Sequence, residues 1–263
     1  MDAPTTTLLR HLLDDRPDPA AAPAAVVAAH AVHRDGPHAD VLGRLVVPDT
    51  ALVATGRARS ARPGPVTWPV AVDVDGGAGG VAALAGRSAD GLRVEAVRTG
   101  LRDLDDPAGG VARIAAAASA LEDVEVFVEL PDVPGWVRAV EVVEAAGLLA
   151  RVGVGPGTDP VALARRLSVL VEADLPFAAV LPAAPRSGLA VLALAMLVEA
   201  LVDGAEAEEA AALLAADPDR VRSGLARWDA ATAGRVRRRL RSVGTDVGAA
   251  LADLEALGVL GRG

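Results

Sequence analysis

Short apolar, β-branched runs alternate along most of this chain with longer stretches of helical period. The runs Leu45-Val-Val47, Val70-Ala-Val-Asp-Val74 and Leu92-Arg-Val-Glu-Ala-Val97 read as buried strands. So do Val124-Glu-Val-Phe-Val-Glu-Leu130, Leu149-Ala-Arg-Val-Gly-Val154 and Phe177-Ala-Ala-Val-Leu181. Between and after them, helical spacing runs over Gly80 to Gly86, Pro107 to Leu121, Pro134 to Ala146, Pro160 to Ala173 and Ser187 to Asp203. Several of these helices carry proline in the first turn, and Gly147 follows one, the asymmetry that helix ends prefer.

Repeated strand–helix units imply parallel strands joined by right-handed crossovers. At 263 residues the chain suits a single α/β domain with a parallel (β/α) barrel-like, TIM-type architecture, closed or imperfectly closed. An open doubly wound sheet is the rival. The barrel is favoured because no Gly-rich dinucleotide fingerprint follows the first strand.

The ends read as mainly helical. Residues 1–40 form a helical N-terminal extension, with threonine-capped leucines from Thr5 to Asp14 and a second helix from Ala24 to Arg34. Residues 204–263 carry helices over Glu206 to Ala216, Ala230 to Leu240 and Asp246 to Leu257, with Ser242-Val-Gly244 as a last short strand.

Composition then narrows the chemistry. The chain lacks Lys, Cys, Tyr, Asn and Gln, and its histidines (His11, His30, His33, His38) all lie near the N-terminus. No Schiff base, thiolate nucleophile or cysteine-ligated metal is available from it. Much of this bias follows a high-GC coding sequence, though the missing glutamine does not. The net charge of −9 argues against nucleic acid and anionic membranes as partners. The longest apolar run, Gly188 to Val198, is shorter than the about 20 residues a bilayer needs. No secretory signal is convincing, and the absence of cysteine is compatible with a cytoplasmic location.

Barrel ligands bind at the carboxyl ends of strands, which directs attention to the charges there. Asp73, Glu95, Glu129 and Arg151 are expected to form one polar cluster in the mouth, since ionised groups on central strands must be paired. One reading is a structural Arg–carboxylate network. The sharper one is a site in which Arg151 holds an anion and Glu129 or Asp73 acts as general base. A weaker candidate is phosphate binding by Gly155, Gly157 and Thr158, where a strand turns into a helix start. The basic run Arg235 to Arg241 is expected to face solvent and pair with acids. His30 and His33 share a helical face but lack further ligands, so neither metal nor cofactor is expected.

The order of elements resembles an uncharacterised group of actinobacterial barrel-like α/β proteins. It does so through Leu12-Leu-Asp-Asp15, Leu45-Val-Val-Pro-Asp49, Val126-Phe-Val-Glu-Leu-Pro131, Leu175-Pro-Phe177 and Ala252-Asp-Leu-Glu-Ala-Leu-Gly258. The resemblance implies a fifth-strand motif bearing a lysine and an arginine before Thr-Gly-Gly, and a later Phe-Lys-Ala-Thr-Ala-Gly-Leu-His-His run. At those places this chain has Arg151, Gly153 and Phe177-Ala-Ala-Val-Leu-Pro-Ala-Ala-Pro185, while Glu129 is retained. A degenerate member follows: a non-catalytic, pseudoenzyme-like barrel that binds a small molecule or partner. The alternatives are an enzyme acting on a small anionic carboxylate or phosphate substrate, and an oligomeric scaffold built on the Ala/Leu-rich C-terminal helices.

Overall fold

The computed structural model describes residues 3–64, 67–87, 89–155, 157–182 and 186–261. Pro156, and Ala183 to Pro185 of the run quoted above, lie outside the described residues. Eight parallel strands close into a barrel in sequence order. They are β1 (Leu13–Asp15), β2 (Leu42–Pro48), β3 (Trp68–Val74), β4 (Leu92–Gly100), β5 (Glu125–Glu129), β6 (Leu149–Gly153), β7 (Phe177–Val180) and β8 (Leu240–Thr245). Closure is made by β1 on β8, where Leu13 pairs with Val243 and Asp15 with Thr245. This is a TIM-type (β/α) barrel, and the open-sheet alternative is excluded.

The helices are α1 (Ala3–Leu9), α2 (Pro23–Arg34), α3 (Leu52–Ser60), α4 (Gly77–Leu84), α5 (Pro107–Ala118) and α6 (Trp136–Ala145). They continue with α7 (Pro160–Glu172), α8 (Ser187–Val202), α9 (Ala207–Ala211), α10 (Pro218–Leu225), α11 (Ala230–Arg239) and α12 (Val247–Ala256). Their starts are chemically explicit. Asp106, Asp159, Asp217, Asp229 and Asp246 each accept first-turn amides, and proline follows three of them. Helix α8 is apolar almost all round because α7, α10, α11 and α12 enclose it.

Three elements depart from the sequence reading. The N-terminal segment is no helical extension: it supplies β1, which completes the barrel, and α1 packs on α11. A strand of three residues is too short to display a period of two. Helix α3 buries Leu52, Thr55, Gly56 and Arg59, a face too polar to announce itself by hydrophobic spacing. Helix α10 is a single short amphipathic piece beneath α8.

Most of the core lies between sheet and helices and is built from Leu, Val and Ala. A separate apolar cluster fills the barrel itself: Val46, Ala71, Ala96, Phe127 and Ala178, with Leu149 against it. The alternation of strand side chains decides what stands on either side of this layer. Two residues further along β3, β4, β5 and β6 the interior is charged, with Asp73, Arg98, Glu129 and Arg151. Two residues earlier lie Arg44, Pro69 and Glu125. The barrel therefore has one thin apolar floor between two polar mouths.

Candidate functional site

The C-terminal mouth gathers Arg16, Asp73, Glu129 and Arg151. Register makes this so: β5 and β6 align Glu129 with Arg151, and β3 and β4 align Asp73 with Arg98 just below. Arg16 follows β1 directly. Its Nη2 lies 3.4 Å from Asp73 Oδ2, and Arg151 Nη1 lies 3.7 Å from both Asp73 Oδ1 and Glu129 Oε2. The 3.7 Å contacts are ionic approaches, too long for direct hydrogen bonds. Accordingly Arg16 Nη1, Arg151 Nε and Asp73 Oδ1 are buried without a hydrogen-bond partner. Buried polar atoms of this kind ordinarily engage water or a ligand.

Beside these residues opens a cleft of about 720 Å³, whose walls include Arg16, His33, Gly153, Gly155 and Thr245. Arg16 also borders a small cavity of about 70 Å³ that reaches Asp73. Asp73 and Arg151 are largely buried, whereas the Glu129 side chain is 46% exposed. β7 adds only Ala178 and Val180 to the inner wall, so this strand itself brings no polar side chain to the mouth.

Asp14 and Arg98 lie below the mouth as a fully buried ion pair. Asp14 Oδ1 also accepts the Arg44 amide at 2.8 Å. Burial pushes the Arg98 guanidinium below its ordinary range, partly countered by Asp14 and then Asp73. Its Nε and Nη1 make no hydrogen bond. Gly244 leaves the space it needs: a Cβ there would stand 3.3 Å from Arg98 Nη1.

Glu95 does not belong to this cluster. It sits in the N-terminal half of β4, three residues before Arg98, the partner of Asp73, or about 10 Å along the strand at the usual rise per residue. Val70 pairs with Val94 but Ala71 with Ala96, so Glu95 is the extra residue of a bulge. There it meets Arg44 at 3.4 Å and also pairs with Arg93. β4 runs on to Gly100, three residues past the Val97 end that the apolar run suggests, which leaves Glu95 well short of the carboxyl end.

The phosphate candidate is also corrected. Thr158 Oγ1 accepts the Gly155 amide at 2.8 Å, and the Asp159 carboxylate takes the first amides of α7, from Val161 and Ala162. The Gly155 amide and the first amides of α7 are thus already taken, and Asp159 adds negative charge where a phosphate would sit. Gly155 remains only as part of the cleft wall, and Gly157 holds a left-handed turn with φ +84°.

Arg16, Asp14 and Arg98 escaped the sequence reading. Leu13–Asp15 looked like a helix end, and Arg98 fell one residue past the expected strand. The basic run behaves largely as expected: Arg235, Arg239 and Arg241 pair with Asp203, Asp174 and Glu125. His30 is buried, with Nδ1 2.7 Å from Asp15 Oδ2 and its ring 5.0 Å from that of Trp68. Among the described residues no group of three or more metal-ligating side chains converges, and no helix is long and apolar enough to cross a membrane. Comparison of the chain with family models, curated proteins and solved structures finds no match.

Proposed function

We propose that this barrel binds a small anion, a carboxylate or phosphate, at its C-terminal mouth and does not turn it over. The observation that carries this reading is the pair of arginines, Arg16 and Arg151, converging on Asp73 with guanidinium nitrogens left unpartnered. An incoming oxyanion would take those donors, and charge-assisted bonds to guanidinium are among the stronger polar contacts. Asp73 keeps both cations in place when the site is empty. The apolar β7 wall supports binding over catalysis, since β7 itself places only Ala178 and Val180 at the mouth. The reading fits a degenerate relative of the actinobacterial group, working in the cytoplasm. Calorimetric titration with a panel of small carboxylates and organic phosphates tests it. At least one should bind without being consumed.

One observation favours an enzyme instead. Glu129 converges with Arg151, as an anchor-and-base pair on a small anionic substrate requires. A turnover abolished by Glu129→Ala in a folded protein would establish that alternative. Assembly through the C-terminal helices has less support, because α8 already buries its apolar residues against its own neighbours.

A further inference from the structure

The opposite end of the barrel carries a second cavity, of about 420 Å³. The N-terminal end of such barrels ordinarily serves stability, so an opening of this size there calls for a reason. Its walls include Arg44, Arg93, Arg237 and Arg241 against only Glu95 and Glu125. Asp14 closes the inner end, but its charge is matched by Arg98. Two positive charges are thus left over, in a chain whose net charge is −9.

The surplus has a definite location. Arg44 bridges Glu95 and Glu125, Arg93 pairs with Glu95, and Arg241 reaches Glu125 at 2.7 Å. Arg237 has no carboxylate partner among the described residues. Its guanidinium donates to the carbonyls of Leu240, Arg241 and Arg10. Burial above all, then Arg241 and Arg44 nearby, pull the Arg237 guanidinium down to about 10, partly countered by the charges of Asp14 and Glu125. Two further groups face the same space. Ser242 Oγ, on a residue 2% exposed, has no hydrogen-bond partner. His11 stands at the rim in a left-handed conformation, φ 51°, with its ring Nδ1 bonded to the Leu42 carbonyl.

We propose that this N-terminal cavity is a second ligand site, for a small dianion of the phosphate class. Arg237 and Arg241 would face its charge, and Ser242 Oγ would donate to one of its oxygens. The site is separate from the C-terminal mouth and does not depend on the function proposed for it.

The test is a titration of the ¹⁵N-labelled full chain with inorganic phosphate, at ionic strength held constant with chloride. Saturable shifts are expected at the amides of Gly43, Arg44 and Ser242, and Arg237→Met should weaken the binding about tenfold or more. Because Arg237 also ties down three carbonyls, Arg93→Ala on the exposed rim serves as a second variant and should weaken it severalfold. No saturable response at those amides, at phosphate well above about 1 mM, overturns the proposal. So does a response confined to Gly153, Gly155 and Thr245, which would instead put the anion at the C-terminal mouth. Unchanged affinity in a folded Arg93→Ala and a folded Ser242→Ala protein overturns it as well.

Discussion

Arg98 on β4 and Asp14 on β1 face each other across the interior of the barrel as a salt bridge, with no more than 1% of either side chain exposed. Small neighbours make room for it. Ala71, Ala96 and Ala178 occupy the same interior, where bulkier residues ordinarily fill a barrel. The pair lies between the two mouths, touching Arg44 on one side through Asp14 and standing below Asp73 on the other.

Removing one partner is therefore expected to cost far more than removing both. Asp14→Ala leaves an unpaired buried guanidinium and should lower stability by about 3–5 kcal/mol in urea unfolding. Adding Arg98→Met should recover most of that loss, since apolar replacement of a buried pair is often neutral. A single-variant cost below about 1 kcal/mol would mean that water already solvates Arg98.

Space at the inner end of the N-terminal cavity is equally constrained. A Cβ on Gly43 would stand 2.5 Å from Asp14 Oδ1, and that carboxylate is fixed by Arg98 and the Arg44 amide. Gly43→Ala should cost about 1–3 kcal/mol. Gly79 in α4 has nothing within 4 Å of the corresponding position, so Gly79→Ala should stabilise by about 0.4–1 kcal/mol. Equal effects from the two substitutions would contradict this packing.

Glu125 supplies a pH-dependent part of the stability. Burial opposes its ionisation, but the hydrogen bond from Arg241 and the charge of Arg44 outweigh burial and hold its carboxyl below the ordinary range. A depressed folded-state value means that the stabilisation is fully present above the unfolded pKa, about 4.3, and is lost as pH falls through the lower folded value. The stability gap between wild type and Glu125→Gln should accordingly be wide at neutral pH and shrink in acid. A gap that does not change with pH would rule out this role.

The strand–helix alternation made the barrel legible, because each long strand buried on both faces is a run of Val, Leu and Ala bounded by turn residues. Asp73, Glu129 and Arg151 were legible for the same reason, being charges near the ends of such runs. Glu95 was misplaced because a bulge and three further strand residues are invisible to simple alternation. Arg16 was hidden by the shortness of β1, whose identity as a strand depends on β8, more than 220 residues away in sequence. The N-terminal cavity joins Arg44, Glu125 and Arg237 from distant elements, and no local spacing relates them.

Anion binding at the C-terminal mouth is tested most directly by calorimetric titration of wild type, Arg151→Met, Arg16→Met and Arg237→Met with small carboxylates and organic phosphates. Loss of one charge-assisted contact is worth about 1.5–3 kcal/mol, or about ten- to a hundredfold in affinity. The expected result is a small carboxylate whose binding falls by that factor in Arg151→Met and in Arg16→Met, and is unchanged in Arg237→Met. Failure of every ligand to bind, or binding indifferent to both mouth arginines in folded variants, would contradict it.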